Sequence, residues 1–185
     1  MKDDVRIFGI ITEGGVSPNI IPERAVTRLQ IRVEDEAYFQ EVIEKVKDAV
    51  RGAALATGTE LTIRKYANTY VNMLTNLALA EEFKRKLTAL KMPVETFSQR
   101  GVATDMGNVS QVVPAIHPFI AIAPKGMALH SIESTKASAS PQAYDATVKT
   151  AKALGMTTID IFSDPELAKK IKKEFAQANT RKEAG

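Results

Sequence analysis

Two histidines and one aspartate are the side chains best suited to bind a metal. His117 and His130 are the two histidines of the 185-residue chain, and Asp105 lies upstream of both. Imidazole and carboxylate groups suit zinc or manganese. No H-E-x-x-H spacing joins them, so the motif evidence for a complete site is weak. Taken singly, Asp105 fits the N-cap of a short helix and His117 a packed loop residue.

A second pair of residues has the chemistry to bind an anion. Asn19 lies in a Gly/Pro-rich loop, and the strand that follows carries Arg32. Asparagine offers an amide donor, and arginine offers a planar fork that matches a carboxylate. On pattern alone, a turn asparagine and a solvated strand arginine are the favoured explanation of the two residues.

Little in the sequence supports catalysis by a serine or cysteine nucleophile. Ser110, Ser131 and Ser134 lack the G-x-S-x-G elbow, and the adjacency of Ser131 to His130 does not give triad geometry. The chain has no cysteine, which excludes a thiolate nucleophile, a disulfide framework and a Cys-type zinc site. This composition fits a reducing compartment, and we expect a cytoplasmic protein.

Charge and hydropathy exclude two classes of partner. The net charge is +3 and aromatic residues make up 6% of the chain, without interleaving among the basic ones. We therefore expect no nucleic-acid site. No run approaches the roughly 20 apolar residues of a membrane span, and the N-terminus has no signal-peptide core, so we expect no membrane association.

The sequence of the first third of the chain predicts secondary-structure elements in the order β-β-α-β. Alternating or β-branched runs predict strands over residues 5–12, 25–33 and 59–66. A helical apolar period predicts a helix over 35–56, ended by Gly58. Together these elements form an α+β layer with one helix.

The remainder predicts part of an α/β domain. One helix is expected over residues 76–91, and a second, short helix is expected between the two loops that follow it. A third helix is expected from Ser140-Pro141 to about residue 162. "SDPE" at 163–166 predicts a capping box, with Ser163 as cap, opening a last helix. Short strands are expected over 94–97 and 116–123.

Two of these stretches resemble a known family. "GIITEGGVSPNIIPERAVTRLQIR", residues 9–32, is similar to the lid-domain signature of the dinuclear-zinc metallopeptidases and amidohydrolases that include aminoacylase, carboxypeptidase G and aminobenzoyl-glutamate hydrolase. "GVATDMGNVSQVVPAIHPFIAI", residues 101–122, followed by "LHS" at 129–131, resembles the end of that family's catalytic domain. The branch acting on aminobenzoyl-glutamate-like or dipeptide-like amides is the most similar, and the resemblance covers nearly the whole chain.

The resemblance implies roles for the matching residues. His130 corresponds to the last metal ligand, for zinc or else manganese or cobalt. The substrate-binding positions implied by the match are Asn19, Arg32, Gly101, Asp105 and His117. Of these, Asn19 and Arg32 match lid residues that hold a carboxylate or an oxyanion, and His117 matches a position found in only part of the family. The family further implies a small amide or peptide substrate and a homodimer formed through the lid.

The resemblance also implies that much of the family's chemistry lies upstream. A His-x-Asp metal pair, a bridging Asp and a Glu-Glu pair with the general base would precede "GII", but only a few residues precede the first strand. The expectation is therefore a C-terminal half: a partial lid in residues 1–66 and the closing part of the catalytic domain in residues 67–185. Such a half would have no catalytic residue of its own, would not bind zinc stably, and would be inactive alone.

Two other interpretations stay open on the sequence. The chain is either a non-catalytic module that self-associates through the lid, or a subunit that completes a separately encoded N-terminal half. Whether the chain by itself is an enzyme is left undecided by these residues.

Overall fold

A computed structural model describes residues 1–95 and 103–183 of the chain. The described part forms two compact units, one over Met1–Asn72 (unit 1) and one over residues 73–95 and 103–183 (unit 2). It contains two strands and six helices, which confirms the predicted mixed α/β class.

Unit 1 is a β-hairpin followed by a long helix. Strand β1, Arg6–Glu13, pairs antiparallel with β2, Val26–Arg32, in a register that sets Arg6 opposite Arg32. Helix α1, Glu36–Thr57, starts at Asp35, whose carboxylate accepts from two backbone N–H groups, and ends at Gly58 with φ 66°. These elements confirm the first two predicted strands and the first helix, since alternation and caps are local signals.

The third predicted strand of unit 1 does not form. Residues 59–66 have no ladder partner among the residues that the structure describes, and Leu61 and Ile63 are 41% and 47% exposed. A strand exists through hydrogen bonds to a neighbour, and alternation alone does not provide one. The observed order of the unit is therefore β-β-α.

Unit 2 is helical. Its elements are α2, Leu77–Ala89; α3, Met106–Ser110; α4, Ile132–Ser138; α5, Pro141–Ser163; and α6, Pro165–Glu183. Helices α2, α5 and α6 pack on one another, and Phe83, Leu87 and Ala153 form the buried core between α2 and α5. The predictions for α2, the short α3 and α5 are confirmed, and Ser140 caps α5 by accepting from the Ala143 N–H at 3.2 Å.

The predicted buried strand over residues 116–123 is absent. The segment is half-buried to exposed and has no ladder; a single parallel bridge joins Thr75 to Ala115 just before it. Ile116 and Ile120 pack instead against the α2–α5 core. An apolar run without neighbouring strands thus serves as a packed loop. For the predicted strand at 94–97, residues 94 and 95 are not in a strand, and 96 and 97 lie outside the described residues.

The junction of α5 and α6 corrects the predicted capping box. Asp164, rather than Ser163, caps α6: its carboxylate accepts from the N–H groups of Glu166 and Leu167 at 3.0 and 3.1 Å. The Ser163 hydroxyl donates backwards to the Ile159 carbonyl. Pro165 occupies the first helical position, where its missing N–H costs nothing, and this shifts the cap by one residue.

Polar contacts over long sequence distances fasten α6 to α2, and α3 to the segment just before α2. The Glu174 carboxylate accepts from the N–H groups of Leu77 and Ala78 at 2.6 and 2.8 Å. The buried Asn76 amide donates to the Ile171 carbonyl at 3.0 Å. The fully buried Ser110 hydroxyl accepts from the Leu74 N–H at 2.9 Å. Groups of α6 thus hold the start of α2, and Ser110 of α3 holds the residue three positions before it.

In the described part of the chain, no helix has the length and apolar character needed to cross a bilayer.

Candidate functional site

Asn19 lies in the loop that joins the two strands of unit 1. Gly15 in this loop has φ 99°, a conformation that favours glycine at this position of the turn. The Ser17 hydroxyl donates to the Asn19 side-chain oxygen. Because that oxygen already accepts a bond, the exposed Asn19 offers its NH₂ group as the donor for an anionic ligand.

Arg32 ends β2 at the other end of the hairpin. Its guanidinium carbon lies 5.5 Å from the centre of the Phe8 ring, a cation–π arrangement. Opposite it in the register, Arg6 donates to the carbonyls of Asp3 and Val5 at 2.6 and 2.9 Å. Two arginines therefore meet at the open end of the hairpin. Val26, where the loop rejoins the sheet, is six residues from Arg32, about 20 Å of strand.

His130 occupies a turn immediately before α4. Its φ is 60°, in the left-handed region, and its side chain is exposed. The next residue, Ser131, caps α4 by accepting from the Ser134 N–H at 3.0 Å and donates to the Ala128 carbonyl at 2.9 Å. The cap fixes the backbone on the C-terminal side of His130. The His130 imidazole is exposed to solvent from a residue in a sparsely populated backbone conformation.

The other two candidates of unit 2 have different environments. His117 is half-buried, with its ring 5.4 Å from that of Phe119 at a tilt of 47°. Asp105 is exposed and stands at the N-terminal end of α3, but its side chain makes no capping bond; the Thr104 hydroxyl accepts from the Met106 N–H instead. The expected N-cap position of Asp105 is correct, while its expected capping bond is absent. Gly101 lies outside the described residues.

Within residues 1–95 and 103–183, no three histidine or acidic side chains converge in a way that would hold a metal ion. A hydrolytic zinc site takes about three protein ligands and an open position for water. The described residues therefore do not fit a complete zinc centre, although His130 presents a single imidazole with suitable exposure.

In the described residues, ion pairs shift the pKa of several side chains, and two of these pairs join separate segments of the chain. Hydrogen bonding to Asp160, and then to Glu82, raises the pKa of Lys86, and the same bond from Lys86 lowers the pKa of Asp160. Glu82 is 4% exposed and 2.9 Å from the Lys86 ammonium. In unit 1, hydrogen bonding to Lys2 lowers the pKa of Asp35, the cap of α1. The Lys86–Asp160 and Lys2–Asp35 pairs have no sequence signal, because the partners are distant along the chain. The i,i+4 spacing of Glu82 and Lys86 is a signal that could have indicated that pair.

Comparison with curated proteins places the chain in a family. The mouse protein named Xaa-Arg dipeptidase is 37% identical over 181 residues, which cover 95% of this chain and 41% of the mouse protein. Its human counterpart is 36% identical over the same share of each chain. A subunit of the p-aminobenzoyl-glutamate hydrolase of Escherichia coli is 22% identical, covering 92% of this chain and 47% of that protein. No family model matches the chain.

The relatives are named as dipeptidases and as a subunit of an amide hydrolase. The chain belongs to the family of aminoacylase-like and aminobenzoyl-glutamate hydrolase-like proteins and corresponds to its C-terminal part, which confirms the resemblance seen in the sequence. It spans about two fifths of the length of the dipeptidases that it matches.

Proposed function

We propose that this chain provides the lid and the closing segment of the catalytic domain of a hydrolase that cleaves an amide bond in N-acyl amino acids or dipeptide-like substrates. The observation that carries the proposal is the 37% identity to a protein named as a dipeptidase, sustained over 95% of the chain. In this assignment residues 1–66 are the lid part and residues 67–185 the catalytic part, acting in the cytoplasm.

Substrate recognition in this proposal belongs to unit 1. Arg32, braced by the Phe8 ring, offers a planar fork to the substrate's carboxylate, and Asn19 offers an amide donor to a carboxylate or to the developing oxyanion. Gly101, Asp105 and His117 border the substrate as their positions in the family pattern suggest. We assign these residues orienting roles, and none of them the part of general base.

His130 is proposed as one ligand of a zinc, manganese or cobalt ion whose remaining ligands are not found among the described residues. When bound, such a metal supplies an activated water and polarises the carbonyl. Because one imidazole does not hold a hydrolytic metal firmly, the 185-residue chain alone is proposed to bind metal weakly and to turn over no substrate.

Grafting tests the proposal. This chain replaces the aligned 41% of the mouse Xaa-Arg dipeptidase, and the hybrid is assayed with zinc or manganese on dipeptides and N-acyl amino acids. We expect an active hybrid and an inactive chain. His130→Asn should lower kcat/KM at least about 100-fold, because asparagine tolerates the left-handed backbone but supplies no imidazole. Lys125→Ala, at a side chain 89% exposed, is the matched control and should change little.

Arg32→Lys in the same hybrid tests the carboxylate fork. It keeps the charge and loses the bidentate geometry, so KM should rise about tenfold or more with a smaller change in kcat. Arg28→Lys, at an exposed position of the same strand, is the control. An inactive hybrid that is folded, or turnover by the unmodified chain alone, would contradict the proposal.

A second candidate function is a self-associating module. All eight residues of β1 are exposed, and Ile7, Phe8, Ile10 and Ile11 are 40–72% accessible. An exposed apolar strand favours pairing with another copy. If so, light scattering should give a discrete dimer that Ile11→Lys converts to a monomer; a monomeric unmodified chain would rule it out.

A further inference from the structure

Helix α5 has two apolar faces. Its inner face packs within unit 2 through the buried residues Ala143, Ala146, Ala153 and Thr157. Its outer face is a stripe formed by Tyr144, Val148, Ala151, Gly155, Ile159 and Phe162. At 100° per residue these six positions fall within about 80° of one another, opposite the inner face. A helix that is apolar on both sides is typical of an element buried on both sides.

The outer face of α5 is exposed along its whole length. The accessible fractions are 62% for Tyr144, 53% for Val148, 65% for Ile159 and 86% for Phe162. Four large apolar side chains on one stripe are more than the scattered single residues of an ordinary surface, and such a patch marks an interaction site.

Gly155 in the middle of the stripe is a second, independent indication. Glycine in a helix interior is destabilising relative to alanine. A Cβ built on Gly155 would meet no atom within 4 Å, so packing within the described part of the chain does not account for the glycine. With Ala151 one turn before, it leaves a shallow centre between larger side chains, which permits close approach of another backbone.

The comparisons show that the relatives contain polypeptide without a counterpart in this chain. The chain aligns over 95% of its own length, so the 59% of the mouse dipeptidase that has no counterpart here (100 − 41) is additional polypeptide rather than a set of insertions. The Escherichia coli relative is named as a subunit, and 53% of it (100 − 47) is likewise unmatched. Polypeptide of this size is enough for a further layer of secondary structure.

We propose that the outer face of α5 is the contact surface for the polypeptide that corresponds to the unmatched part of the relatives, whether that polypeptide is in the same chain or in a separate one. The inference rests on the proposed function and assigns to α5 the seam at which the hydrolase is completed. A second copy of this chain is the competing occupant.

Thiol labelling tests the seam directly, because the chain has no cysteine of its own. Val148→Cys and Ile159→Cys probe the stripe, and Lys125→Cys is the exposed control. Each is made both in the chain alone and in the hybrid with the mouse dipeptidase, and maleimide labelling is followed by peptide mass mapping. We expect rates equal to the control in the chain alone and at least about tenfold slower labelling of the two stripe positions in the hybrid.

Three outcomes would overturn the inference: stripe cysteines that label as fast as the control in the folded hybrid, protection in the chain alone that grows with its concentration, and a hybrid that does not fold. Activity of the hybrid is a separate measurement. An inactive hybrid whose stripe cysteines are protected from labelling supports the α5 contact surface and contradicts the proposed function. An active hybrid whose stripe cysteines label as fast as the control supports the proposed function and contradicts the α5 contact surface. Gly155→Ala gives a second test: it should raise the Tm of the chain alone by about 2–4 °C and lower the yield of folded hybrid.

Discussion

The carboxylate of Glu174 is expected to contribute measurably to the stability of unit 2, and Glu174→Ala tests this. The Glu174 carboxylate accepts from the N–H groups of Leu77 and Ala78, the first two residues of α2. These two groups respond differently to its loss. Leu77 is 69% exposed, so water replaces its partner at little cost; Ala78 is 6% exposed, so its N–H is left without one.

The magnitude follows from that difference. A buried N–H without an acceptor costs about 1–3 kcal/mol, and loss of a negative charge at a helix N-terminus costs about 0.3–1 kcal/mol. We expect Glu174→Ala to reduce the free energy of unfolding by about 2 kcal/mol, which lowers the urea midpoint by about 1 M. Glu174→Gln retains one acceptor and should cost about half as much.

Circular dichroism suits the measurement, since the chain has no tryptophan and the helices of unit 2 dominate the signal. Hydrogen exchange should show faster exchange at Leu77 and Ala78 in the variant. Glu81→Ala is the matched control, because that exposed carboxylate on α2 pairs with Lys84 of the same helix, at 3.4 Å. Its cost should stay below about 1 kcal/mol. Equal midpoints for the two alanine variants would refute the assigned role of Glu174.

Three further changes test unit 2. Phe83→Ala removes a ring that is 3% exposed and should cost about 3–5 kcal/mol in urea unfolding. Asn76→Ala loses the cap of α2 and the bond to the Ile171 carbonyl, for about 2 kcal/mol by the same assay. Because the hydrogen bond from Lys86 lowers the pKa of Asp160 in the folded state, its stabilisation is present above about pH 4 and is lost as the pH falls further. Lys86→Met should therefore flatten the fall of Tm between about pH 5 and pH 2, and an unchanged profile would contradict this.

Local signals made the helices predictable from the sequence. Ser140-Pro141 specifies the start of α5, and Gly58 specifies the end of α1, because caps act within one turn. Strands were predictable only where the neighbour follows directly along the chain, as in the β1–β2 hairpin. Residues 59–66 and 116–123 have the composition of strands but no neighbouring strand in the described chain. Composition does not indicate whether a partner strand is available for hydrogen bonding.

The residues of the candidate site were also only partly predictable from local sequence signals. The sequence correctly placed Asn19 in the hairpin loop, while the left-handed backbone of His130 and the position of Arg32 over Phe8 depend on geometry that no motif encodes. Glu174 caps a helix almost a hundred residues away in sequence, and no pattern indicates such a partner.

The single-residue junction between α5 and α6 has a consequence for how copies of the chain interact. Helix α6 is held on α2 by Glu174 and by the Ile171 carbonyl, and the α6 of another chain carries the same groups. A straight continuation of α5 into α6 would send α6 away from its own α2 and towards that of a neighbour. Pro165 opposes this, because it cannot donate to the Ile161 carbonyl as a continuous helix requires. The proline thus favours folding-back within one chain over exchange of α6 between two.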